Sequence, residues 1–191
     1  MRRLVGSMLI LLFCAVAAGA HPHMWVDGTF DLELDSRGVA ALRVSWLFDE
    51  FNSADMIFMF DEDLDGELSE AEQQTIASEA FGHLAQIDYF IVAYAGDRRL
   101  DVAEATSFQA EIADGRLRYA FTVPFRLRWA QMSDAVLAFF DQSYYIDFLS
   151  DPGRARYAAS GREVRLTEET LHLQSEGWGT IRVPALKVTA R

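Results

Sequence analysis

The chain has 191 residues, with 29 acidic against 17 basic side chains and a formal charge of −12. Such a polyanion repels phosphate backbones and anionic lipid, so nucleic acid is excluded as a partner, and cations or basic surfaces are favoured. A single cysteine excludes a disulfide framework and a thiolate metal cage.

Met1 to Ala20 reads as a secretory signal. Arg2 and Arg3 form a positive start, LVGSMLILLFCAVA an apolar run too short for a membrane span, and Ala18-Gly19-Ala20 a small-residue cleavage site. Cys14 suggests lipid attachment as an alternative, which the bulk of Phe13 directly before it disfavours. Cleavage after Ala20 removes Cys14 and makes residues 21–191 the secreted chain. Roughly 170 residues suffice for one domain with a real core.

His21, Pro22 and His23 then open the mature chain. The α-amine and imidazole of His21, with His23 close by, offer a chelate suited to Cu²⁺, Ni²⁺ or Zn²⁺. Pro22 lacks the N–H that the familiar amino-terminal copper and nickel motif deprotonates, so that chelate is excluded. Two readings stay open. One is a histidine brace completed by His83 or His172, and the other is a plain extended terminus.

Met24 to Leu34 and Val39 to Phe48 alternate and flank the turn Asp35-Ser36-Arg37-Gly38, which predicts a hairpin. Asp49 to Phe60 predicts a short helix, and Ser69 to about Leu84 a second, with Ser69 and Glu72 as its capping box. Together they make a helix–loop–helix insert over 49–84.

The loop between them, DEDLDGELSEAE, has the spacing of an EF-hand calcium loop. Asp61, Asp63 and Asp65 stand at positions one, three and five, and Gly66 at the sharp turn. Glu67 supplies its carbonyl at position seven, Leu68 is the apolar residue that tucks inward, and Ser69 ligates directly or through water. Glu72 ends the loop as a bidentate carboxylate. Four converging carboxylates repel one another unless a dication neutralises them, and hard oxygen donors suit Ca²⁺. The competing reading is an acidic, solvated turn whose Ser69–Glu72 pair only caps a helix. No second loop exists to pair with this one, so a structural staple is expected rather than a sensor. Phe58, Phe60, Ile76 and Phe81 are expected to anchor the two helices to the core.

From Tyr89 the period returns to two. YFIVAYA, TSFQAEI, LRYAFTVPF, AVLAFFD and SYYIDFL predict strands, with a turn at Ala113-Asp114-Gly115-Arg116. Val164 to Leu166 and Thr180 to Val188 predict two more. The expected fold class is α+β, a mainly antiparallel β-sandwich-like domain carrying the EF-hand-like insert. No catalytic motif is present; Asp27, Asp31 and Asp141 could form carboxylate pairs, but an acidic chain offers many such pairs by chance, so no enzymatic activity is expected.

HPHMWVD, WLFDEFNSADM running into FDEDLDGELSEAE, and FFDQSYYIDF in that order resemble a bacterial family, number 1007 of the domains of unknown function. That family is described as the periplasmic component of an uncharacterised ABC-type transport system. The resemblance spans nearly the whole mature chain. It implies a metal-handling accessory of a membrane permease for Ni²⁺, Co²⁺ or Zn²⁺, with His21 and His23 as the matching H-P-H. FFDQSYYIDF departs from the family pattern at Gln142 and Ser143, where a turn containing proline is usual. A calcium-stabilised interaction module without cargo and a histidine-brace copper protein are the alternative functions.

Overall fold

A computed structural model describes residues 23–151, 156–157 and 161–190. The predicted leader, its cleavage site, His21 and Pro22 lie outside the described residues.

Two sheets face each other. The first has five strands in the order β5 (Ser107–Ala113), β6 (Arg116–Arg128), β2 (Gly38–Phe48), β1 (Met24–Asp35) and β8 (Ile146–Asp151). The second has six, in the order β4 (Arg98–Arg99), β3 (Ile91–Ala95), β7 (Ala135–Phe139), β11 (Gly179–Ala190), β10 (Glu163–Ser175) and β9 (Arg156–Tyr157). Both predicted hairpins form: β1 with β2 around Ser36-Arg37, and β5 with β6 around Asp114-Gly115. All pairings are antiparallel except β1 with β8, which run parallel in register from Met24 opposite Ile146.

Alternation along the strands places Val26, Phe30, Leu32, Leu42, Val44, Trp46, Leu117, Tyr119 and Phe121 on the inner face of the first sheet. Ala93, Leu137, Phe139 and Leu186 answer from the second. The sheets approach closely at Phe139, whose ring stacks on Phe30 with centroids 4.0 Å apart. A side chain at Gly28 would meet that ring at 2.7 Å, so only glycine fits there.

Helix α1 (Glu50–Phe60) follows β2 directly. Its cap, Asp49, accepts from the amides of Asn52 and Trp25, both at 2.9 Å, which ties the helix start to the start of β1. Ser53 is wholly buried, donating from Oγ to the Phe48 carbonyl at 3.2 Å and accepting from the Leu117 amide at 3.0 Å. One hydroxyl thus closes two strand-end backbone groups that burial would otherwise leave unpaired. Phe60 is buried as expected, but Phe58 is not an anchor: it is 77% exposed. Ser53 and Phe60 face inward, with Met56 and Ile57 packed on the core beside them, and this turns Phe58 to solvent.

Helix α2 (Glu70–Glu79) is shorter than predicted. A 3₁₀ segment, Phe81–Phe90, replaces its last turn and ends in three consecutive left-handed residues, Asp88, Tyr89 and Phe90. Each costs roughly 1–2 kcal/mol relative to ordinary backbone. The turn is held because Tyr89 stacks on Phe81 and its hydroxyl oxygen accepts from the Ala105 amide at 3.0 Å, while the Phe90 carbonyl accepts from the Phe140 amide at 2.7 Å. Strand β8 also starts later than its apolar run suggests, because Gln142 to Tyr145 form a turn.

Candidate metal centre

The loop Asp61–Glu72 joins the end of α1 to the start of α2. Phe60 and Ile76 are buried on either side of it, so its two ends are fixed by the core. Within it the chain folds back through its own carboxylates. Asp61, only 2% exposed, accepts from the Gly66 amide through Oδ2 at 3.0 Å and from the Asp65 amide through Oδ1 at 3.2 Å. Asp65 Oδ1 accepts from the Glu67 amide at 2.8 Å. Gly66 takes a φ of +82°, where a side chain would be strained.

These turns bring carboxylate oxygens of Asp61, Asp63 and Asp65 within 4.8 Å of one another. Among the described residues no other group of three ligand-type side chains converges in this way. The chemistry fits a hard dication: the donors are all oxygen, they carry three negative charges, and no sulfur or nitrogen intrudes.

Glu72 stands apart from that trio. Its Oε1 accepts from the Glu62 amide at 2.7 Å and its Oε2 from the Ser69 amide at 2.8 Å. Ser69 Oγ in turn accepts from the Glu72 amide at 3.3 Å, completing the predicted capping box. Hydrogen bonds from Ser69, through hydroxyl and amide, and from the Glu62 amide hold the Glu72 carboxyl below the usual carboxylate range. Both its oxygens are thus engaged with backbone donors at the mouth of the loop. The side chains of Glu67 and Ser69 lie exposed, outside the trio.

His23 occupies a different place. Its amide donates to the Tyr145 carbonyl at 2.9 Å, its carbonyl accepts from Asn52 Nδ2 at 3.2 Å, and its ring lies 5.0 Å from that of Tyr145. The chain at His23 is therefore clamped between α1 and the turn that precedes β8. Sequence reasoning missed this clamp, and the signal available for it was Asp49, whose capping pattern precedes Asn52. His83 and His172 are exposed, and neither joins a group of three ligand-type side chains.

Asp141 anchors that turn. Its carboxylate accepts from the Ser143 amide and hydroxyl at 2.9 and 2.8 Å, and from the Tyr145 and Ile146 amides at 3.0 and 2.9 Å. Asp27 is paired with Arg116 at 3.0 Å on the outer face of the first sheet. Of the aromatics beside the turn, Tyr144 meets Trp178 edge-on at 6.4 Å.

The chain is similar to two curated proteins of undescribed role. One, the "Uncharacterized 15.5 kDa protein in trpE 3'region" of Spirochaeta aurantia, is 30% identical over 94 residues, covering 49% of this chain and 67% of the relative. The other, an "Uncharacterized protein" of Haemophilus influenzae, is 22% identical over 143 residues, covering 73% of this chain and 68% of the relative. No solved structure matches. The model of the family described as "Protein of unknown function (DUF1007)" matches residues 6–169, and the chain belongs to that family.

Proposed function

We propose that the protein is a periplasmic metal-handling accessory of a transport system, stapled by Ca²⁺ at the EF-hand-like insert. The observation that carries the calcium part is the convergence of Asp61, Asp63 and Asp65 around the Gly66 turn. Bound there, Ca²⁺ neutralises the three carboxylates and fixes α1 against α2. The protein's own contribution is to hold the trio in place through the Gly66, Asp65 and Glu67 amides. Glu72 is expected to leave its capping bonds and close the cage as the ligand at position twelve. Ser69 and the Glu67 carbonyl complete the oxygen set.

The cargo part is carried by the family resemblance and by the H-P-H terminus. His21 and His23 are the proposed contacts for Ni²⁺, Co²⁺, Zn²⁺ or Cu²⁺, and a membrane permease is the proposed recipient or donor. In support, the His23 backbone is clamped by Tyr145 and Asn52, so an ion held at the terminus would stay at one place on the surface. Among the described residues no helix is long and apolar enough to cross a membrane.

Native mass spectrometry with metal analysis, on protein purified from its own cell envelope, tests both parts. The expected result is a chain beginning at His21 that carries one calcium and takes up one transition-metal ion. A correctly processed chain that binds calcium and none of the four transition metals would replace this reading with that of an interaction module. The exposed face of α1 supports that second reading.

A further inference from the structure

Phe51, Phe58 and Met59 are 74%, 77% and 68% exposed. They lie seven and eight residues apart, which puts all three on one side of an α-helix. The opposite side of α1, with Ser53, Met56, Ile57 and Phe60, already packs on the core. Leu64, just beyond the helix, adds another apolar side chain that is mostly exposed. Large apolar side chains in solvent carry a cost that a lone exposed leucine does not, and clustered ones mark a surface that something covers.

The rim of this stripe indicates what covers it. Glu50 flanks the stripe, Asp55 sits within it, four residues from both Phe51 and Met59, and Glu62 follows at its end, all exposed, with no lysine or arginine from Asp49 to Gln86. An anionic rim on a chain of formal charge −12 repels the anionic headgroups of a bilayer and attracts a cationic segment. We infer that the outer face of α1 docks a basic, amphipathic helical segment of a partner protein, its apolar side on Phe51, Phe58 and Met59 and its lysines or arginines against the acidic rim. The accessory reading and the interaction-module reading both call for a partner; the inference rests on that shared requirement and gives the chemistry of the partner's docking segment. It requires no metal at His21 or His23, so docking and metal binding succeed or fail separately.

The test uses the purified protein and two labelled 18-residue helical peptides, each with leucine on one side and either lysine or glutamate on the other. Fluorescence anisotropy reads binding, in calcium and in chelator. The Leu/Lys peptide is expected to bind the wild-type chain and to weaken at least tenfold against F51S/F58S. It should also weaken with added salt, and the Leu/Glu peptide should not bind. Because both phenylalanines are exposed, the double variant should melt within a few degrees of wild type, which separates lost docking from lost folding. Equal binding of the Leu/Lys peptide to wild type and F51S/F58S would overturn the inference, since net charge alone would then account for it. Phenylalanine-dependent capture on vesicles containing phosphatidylglycerol, with no peptide preference, would also overturn it in favour of a membrane surface.

Discussion

Two loops of this molecule are organised around a buried aspartate, and they use it in opposite ways. Asp141 spends its carboxylate on its own turn, taking hydrogen bonds from Ser143, Tyr145 and Ile146. Asp61 also accepts from two amides of its own loop, but Asp63 and Asp65 bring further oxygens to within 4.8 Å. The first loop is electrostatically complete, because backbone dipoles answer a single charge. The second concentrates three like charges against the few donors its backbone provides. A buried carboxylate is therefore weak evidence of a site, whereas convergence of several beyond what local amides satisfy is what makes a cation site worth proposing.

The largest effect that would break this comparison belongs to Asp141. Replacing it with alanine leaves four donor groups without their acceptor at a partly buried turn. It should cost about 3 kcal/mol, on the scale of charge-assisted hydrogen bonds. Urea denaturation should show the same loss with calcium and with chelator. A loss that calcium restores would mean that Asp141 also serves an ion and that the contrast is false.

Next in size is the acid limb of stability. Burial pulls the Asp49 carboxyl upward, but donors from Asn52 and Trp25 outweigh it and leave it below its ordinary value. Glu72 is lowered too, by Ser69 and Glu62. A carboxyl lowered by folding stabilises at pH above its unfolded value, and that stability is lost as pH falls through the folded one. Urea midpoints should therefore drop below about pH 4, and Asp49→Asn should flatten that drop. Asp147 has the opposite sign, since burial raises its carboxyl. Its contribution is present at low pH and lost as pH rises through the raised value, so Asp147→Asn should stabilise slightly at pH 7 and not at all in acid. A variant that merely lowered stability by the same amount at every pH would contradict these assignments.

The smallest effect is expected at Met59, which is exposed beside the acidic loop. Met59→Ser should change stability by less than about 0.5 kcal/mol in thermal melts. A larger loss would show that this face of α1 is covered within the chain itself.

Much of this architecture was legible because it rests on local chemistry. Alternation with a Gly-containing turn specified both hairpins, and Ser69 with Glu72 specified the start of α2. The spacing of Asp61, Asp63, Asp65 and Gly66 was enough to predict that the carboxylates would meet. What escaped depends on contacts distant in the chain. The parallel pairing of β1 with β8 joins residues more than a hundred positions apart and has no local signature. The left-handed turn at Asp88 to Phe90 exists only because Tyr89 and Phe90 both find partners in the interior. Phe58 was misassigned for a different reason. Apolar residues crowd α1 on nearly every side, so periodicity could not say which face turns inward until Ser53 and Phe60 were seen buried. Glu72 reads from the sequence both as the capping-box residue and as the twelfth loop position, because the same oxygens can serve either role; here they accept from the Glu62 and Ser69 amides.

That double role makes Glu72 the sharpest probe of the central claim. Glutamine can keep a capping box but loses the charge and the bidentate grip that Ca²⁺ needs. With chelator, Glu72→Gln should melt somewhat below wild type, because it gives up the charge and one of the two oxygens that the Glu62 and Ser69 amides bond. Calcium at about thirty times its Kd should then stabilise wild type by about 2 kcal/mol, a rise of several degrees, and leave Glu72→Gln unmoved. Calcium that shifts neither protein, or both equally, would contradict the account.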